Sequence, residues 1–330
     1  MAPMLVFAIA SLQVPRFVVS FFTDPFQFEF FRRAAWTAAV VGFTNGFLSG
    51  FVVLRRSSLM VGSISHALLP GIAVAILLTG LTAATAFLGG LVSALLVGLA
   101  ALFVARTSRI DSHSALAVLY TAAFAAGLLL LDWLPTHLEL EHWLFGNILA
   151  VSEADLWMSF FVAALVLPLL LGLGRPLLLA LFEPSVARSQ GVPVQALGYL
   201  LTGLVILGLV VSIQAVGCIL SVSMLVAPAA AMLQFARSPL ALAWGGALVG
   251  GGVSAAAVFV SYWLDLRVGA TIVLLLGVAV LLAYLLGMRH GALRWLRRSG
   301  TGAGRERAET ASSPRSIAAR NHKPPEGQPR

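Results

Sequence analysis

A histidine set in apolar sequence is the first residue able to do chemistry. His66 stands in LRRSSLMVGSISHALLPGIAVAILL, with Ser63 and Leu69 three positions to either side on the same helical face. A neutral imidazole is a good ligand for zinc, manganese or iron. An ionisable group inside hydrocarbon is costly, so a residue of this kind starts as a functional candidate. The plainer alternative is an imidazole hydrogen-bonded to a backbone carbonyl. Pro70, four residues on, frees one near its own turn.

Other polar groups offer less. Asp265, in SYWLDLRVGATIVLL, falls at the break between the last two apolar runs and is followed by Arg267. It could draw cations to a pore mouth, or be a solvated loop carboxylate beside an arginine. The segment from Asp132 to His142 gathers Asp132, His137, Glu139, Glu141 and His142. Mixed imidazole and carboxylate groups suit a transient metal funnel, but the alternation in HLELEH fits a wetted strand or turn, which is the reading preferred here.

Catalytic alternatives fail on geometry or motif. Ser65 and His66 are adjacent, and neighbours one apart on a helix do not face each other. Ser63 shares a face with His66, yet neither a GxSxG elbow nor an HExxH zinc motif is present. There is no GxxxxGK[ST] phosphate loop, and the single lysine is Lys323, near the C-terminus. Nucleotide hydrolysis of that kind therefore has to come from a separate polypeptide, and the chain is expected not to be an enzyme. The lone Cys218 lies in an apolar run, where it is expected to act as a small buried hydrophobe.

The elements that must position these residues are membrane helices. Of the 330 residues 59% are apolar and 10% charged, whereas a soluble domain carries about a quarter charged. Runs of about 17 to 25 apolar residues can cross a bilayer as helices. Nine occur, near 34–54, 64–80, 83–105, 114–133, 155–173, 196–213, 218–236, 240–263 and 269–288. The fold class expected is all-α integral membrane, a polytopic bundle of about 8–10 transmembrane helices. Residues 5–22 lack the basic start and cleavage site of a secretory signal and read as an interfacial or extra spanning helix. The domain reading is an apolar segment at 1–30, a transmembrane domain at 31–288 and a basic tail at 289–330.

Charge sets orientation. The formal net charge is +8, but ten basic and three acidic residues lie from Arg289 onward, against eleven and ten before it. A basic patch for nucleic acid is thereby excluded, and a disordered tail held in the cytoplasm is expected. With the C-terminus inside, alternation puts Arg55, Arg56, Arg106, Arg109, Arg175, Arg188 and Arg237 on the cytoplasmic side and Asp132–His142 outside. Only Arg32, Arg33 and Arg267 fall outside.

Two further patterns shape the bundle. Gly42, Gly46 and Gly50 recur every four residues on one helix face, and Gly89, Gly90, Gly245, Gly246, Gly250, Gly251 and Gly252 also sit inside helices, which lets backbones approach closely. In LFEPSVARSQGVPV, the run from Ser185 to about Gln190 reads as a short amphipathic helix ended by Gly191. Lying along the membrane surface, it could dock a partner.

Taken together, GFVVLRRSSLMVGSISHALLPGIA, LFGNILAVSEADL, FEPSVARSQGVPV, QAVGCILSVSMLVAPAAA and YWLDLRVGATIVLLLG resemble the zinc/manganese/iron permease family of bacterial ATP-binding-cassette metal importers, from about Phe31 to Leu286. The resemblance implies the membrane permease subunit of an ATP-driven importer in the bacterial plasma (inner) membrane. It implies a homodimer or heterodimer of permeases, a cytoplasmic ATP-binding-cassette ATPase and an extracytoplasmic metal-binding protein. It implies no permanently bound cofactor, the divalent metal being cargo. By the same likeness His66 is a metal ligand, with Asp265 as a second candidate, and Glu183, Pro184, Ala187, Arg188 and Gly191 form the ATPase-coupling loop. Family members usually carry a carboxylate four residues before the histidine; this chain has Gly62. The alternatives are a permease-like scaffold without transport and a secondary transporter or channel that needs no ATPase.

Overall fold

In a computed structural model the described residues, 25–80, 82–109, 111–131 and 151–287, form helices and connecting turns. After a 3-10 turn at Pro25–Gln27 come α1 (Glu29–Leu54), α2 (Ser58–His66), α3 (Leu69–Thr79), α4 (Ala83–Thr107), α5 (Ser112–Leu131), α6 (Glu153–Gly172), α7 (Gly174–Phe182), α8 (Pro184–Ser189), α9 (Val194–Val216), α10 (Cys218–Met232), α11 (Pro239–Leu264) and α12 (Val268–Leu286). Among the described residues, seven stretches of helix are long and apolar enough to cross a membrane, and two shorter apolar ones lie within α5 and α10. Over its described residues each of the nine expected spans coincides largely with helix. The Asp132–His142 segment, residues 5–22, the basic tail and the Cys218 side chain lie outside the described parts.

Two boundaries differ from the sequence reading in ways that matter. The second span starts at Ser58 rather than near 64 and is interrupted by a turn at Ala67 and Leu68, so it is two helices, α2 and α3. Pro70 explains the break, since it has no N–H to give the carbonyl four residues back. The fifth span is followed by α7, a separate helix that leads into α8.

Local chemistry sets several starts. Thr82 and Thr85 form a reciprocal capping box at α4, as Ser152 and Asp155 do at α6. The Ser238 hydroxyl accepts the Ala241 N–H at α11, with Pro239 in the first turn. Between α9 and α10 the chain turns at Gly217, whose φ of 99° suits a residue without Cβ.

The packing centre is α1, which carries the fully buried Phe31, Phe47 and Leu48. Its Gly42, Gly46 and Gly50 meet Gly250, Gly246 and Ala243 of α11. A Cβ on Gly42 would lie 2.5 Å from the Gly250 carbonyl oxygen, and one on Gly46 would strike the Gly246 carbonyl. Small residues here permit the backbone contact that drives helix association where lipid supplies no hydrophobic force. Polar stitches reinforce it: Asn45 donates to Ser212 of α9, and Ser49 accepts the Ala229 N–H of α10 at 3.1 Å, beside Pro228. Leu78, Leu96, Val118, Leu129 and Leu274 are exposed, as lipid-facing residues must be.

Candidate functional site

His66 is the last residue of α2, at the break in the second span. At about 1.5 Å per residue it lies roughly 12 Å in from Ser58. That places it deep in the bundle rather than near the span's start, because the span begins earlier than the hydropathy suggested. Several contacts hold the break. The Ser93 hydroxyl of α4 donates to the Ala67 carbonyl at 2.7 Å. A Cβ on Gly127 of α5 would lie 2.7 Å from the Pro70 nitrogen, and one on Gly71 would strike the Gly89 carbonyl of α4. The glycines thus let α4 and α5 close onto α3 directly behind the histidine.

The half-buried imidazole packs against two α5 rings, with centroids 5.5 Å from Phe124, edge to face, and 6.3 Å from Tyr120. Among the described residues no hydrogen bond reaches either ring nitrogen. The carbonyl-bonded histidine is therefore not what is found, and the ring keeps a lone pair available. Neighbouring Ser65 is buried and spends its hydroxyl on the Val61 carbonyl at 3.1 Å. Tyr120 and Phe124 escaped the sequence reading. Their signal, two rings four apart on one face of an apolar helix, is indistinguishable from ordinary packing until the partner helix is known.

One turn before His66, a Cβ on Gly62 would meet only Val222 Cγ1 of α10, at 4.0 Å. Space for a side chain is there, so the absent carboxylate is a matter of residue type and not of crowding.

Asp265 stands elsewhere. It ends α11 in a left-handed conformation, φ 51° and ψ 44°, which Asp tolerates better than most residues, and its N–H bonds the Ser261 carbonyl. Exposed at the α11–α12 turn, it occupies a bundle end while His66 lies within a span. Among the described residues no three of His, Cys, Asp and Glu come together as a metal cage. A cation at His66 would thus find no ready-made cage among the described residues.

The predicted helix after Glu183 is α8. Glu183 precedes it, Pro184 opens it, and Gly191 follows with φ 77°. The Gly191 and Val192 N–H groups bond back to Arg188 and Ala187, closing the helix end. Ala187 is fully buried, while Glu183, Pro184 and Arg188 are exposed. The result is a short helix seated on the bundle by one small residue, its polar side turned outward.

Residues 27–287 match the family model described as the ABC 3 transport family. The chain belongs to that family. Within the ABC 3 transport family it is 37% identical over 276 residues to the manganese transport system membrane protein MntC of Halalkalibacterium halodurans, covering 83% of this chain and 92% of that one. It is 36% identical over 264 residues to the manganese import system permease protein ScaB of Streptococcus parasanguinis, covering 80% and 93%. It is 36% identical over 252 residues to a Haemophilus influenzae protein named "Probable iron transport system membrane protein", covering 76% and 92%. Among solved structures, one titled PsaBC from Streptococcus pneumoniae in complex with Fab matches with a TM-score of 0.74 and 32% identity, over 84% of this chain and 99% of that one. The ABC 3 membership agrees with the apolar, membrane-length helices that run through most of the described residues.

Proposed function

We propose that this chain is the membrane permease subunit of an ATP-driven importer of a divalent transition metal, with manganese or iron as the cargo. The observation that carries the reading is the near full-length match to manganese transport membrane proteins. The iron-named relative supports the second cargo.

In this reading the metal, released by an extracytoplasmic binding protein, passes along a pathway at the interface of two permease copies. It pauses at the free imidazole of His66 and moves inward when ATP binding by a separate cytoplasmic ATPase shifts α8. The two permease states must differ in metal affinity, since a site that binds equally in both shifts nothing. The exposed side of α8, with Glu183 and Arg188, is the docking element. Its position at the same bundle end as Arg55, Arg106 and Arg237 agrees with a cytoplasmic location and a cytoplasmic C-terminus. Asp265, at the opposite end, serves at most as an entry carboxylate.

Elemental analysis of cells with and without the gene, across manganese, iron and zinc, tests the proposal. A selective fall in cell manganese or iron on deletion is expected; unchanged content of all three metals would overturn it.

A further inference from the structure

Arg55 and Arg106 end two different helices, α1 and α4, yet both rest on the first turns of α9. Arg55 Nη1 donates to Thr202 Oγ1 at 2.9 Å. Arg106 Nη2 reaches the Gln195 carbonyl at 3.5 Å, and its guanidinium lies 4.2 Å over the Tyr199 ring. Gly198 makes the fit possible, because a Cβ there would lie 3.0 Å from Arg106 Nη2. The Thr202 hydroxyl donates to the Gly198 carbonyl at 2.9 Å. Positions 195, 198, 199 and 202 follow one face of a helix, so the two guanidinium groups lie along a single strip of α9.

Every partner on that strip is neutral: a hydroxyl, a carbonyl and a ring face. Arg33 pairs with Glu29 and Glu153, but among the described residues neither Arg55 nor Arg106 has a carboxylate within ion-pair reach. Arg55 is half-buried, and its burial together with the Arg106 charge pushes its hold on the proton down. A guanidinium nevertheless stays charged. Two like charges are thus held along one strip of α9 at a helix-bundle end, near enough to feel each other and with no carboxylate paired to either among the described residues, an arrangement that favours a bound counter-ion.

We infer that Arg55 and Arg106, strapped to α9, form a binding site for a phosphate-class anion, supplied by a phospholipid headgroup at this end of the bundle or by free phosphate. Guanidinium forks match the several oxygens of a phosphate, and each planar group can donate two parallel bonds. Both residues end spanning helices, at the depth where headgroups lie. The hollow beside Arg55, lined by Ser57 and Thr202, is about 10 Å³, enough for a water and too small for a phosphate. The anion therefore approaches from the exposed Arg106 side.

The test uses the full chain in neutral detergent, titrated with phosphatidylglycerol against phosphatidylcholine, and with inorganic phosphate against chloride at equal ionic strength. Native mass spectrometry and thermal unfolding read the binding. Arg106→Gln removes an exposed charge; Arg55→Lys keeps the buried charge and loses the fork. Arg237→Gln, an exposed arginine at the same end, is the control. Apparent affinity is expected to fall at least about tenfold in Arg106→Gln and Arg55→Lys and to change by less than about twofold in Arg237→Gln. A response confined to phosphatidylglycerol identifies the lipid, and an equal response to inorganic phosphate identifies the free anion. No stabilisation by either, wild-type affinity in both site variants, or an equal loss in Arg237→Gln would overturn the inference.

Discussion

Ser93 of α4 donates its hydroxyl to the carbonyl of Ala67, 2.7 Å away, at the point where the second span breaks beside His66. A carbonyl released from a helix inside a bilayer needs a donor, and this serine supplies it from the neighbouring helix. The bond ties the metal-ligand candidate to a fixed place on α4.

Replacing that serine tests the tie. Ser93→Ala is expected to lower stability by about 1 kcal/mol, in line with interhelical bonds in membranes, read as a lower thermal midpoint in detergent. Ser93→Thr, which keeps the hydroxyl, should recover part of the loss. An unchanged midpoint in Ser93→Ala would mean the break is held by the glycine contacts alone.

The site makes a paired prediction. His66→Ala should abolish metal-dependent uptake while leaving membrane insertion intact, because among the described residues the imidazole has no hydrogen bond to lose and gives up only its packing on Tyr120 and Phe124. Gly62→Asp should be tolerated, since its Cβ would meet only Val222 at 4.0 Å, and should tighten manganese binding about tenfold by adding a hard oxygen ligand one turn away. Competition of unlabelled metals against radioactive manganese uptake reads both. Full uptake in His66→Ala would remove the residue from the pathway.

The α1–α11 seam predicts a contrast between glycines. Gly46→Ala drives a methyl into the Gly246 carbonyl and should cost about 1–3 kcal/mol, as overpacking does. Gly252→Ala on α11 meets nothing within 4 Å and should stay within about 0.5 kcal/mol of wild type. Thermal unfolding of the two variants side by side decides it; equal midpoints would contradict the close crossing.

Much of this was legible in the sequence because lipid narrows the choices. Each of the nine apolar runs falls on helix among the described residues, seven of them long enough to cross a membrane, Gly42, Gly46 and Gly50 declared their close-packed face, and Gly191 marked the end of α8. The depth of His66 was not legible, because hydropathy cannot see a helix that begins in SSLMVGSISH before the strongly apolar run. The rings of Tyr120 and Phe124 were hidden for a different reason: which helix faces α2 is a tertiary fact. The same holds for Arg55 and Arg106, whose charges signal orientation in the sequence but whose shared seat on α9 joins residues far apart in the chain.

The claim on which the account rests is that the chain moves metal only when a second protein hydrolyses ATP. Purified permease, reconstituted into sealed vesicles with and without its cognate ATPase and binding protein, should accumulate manganese against a gradient only when both companions and ATP are present. Uphill accumulation by the permease alone, with no nucleotide, would contradict it.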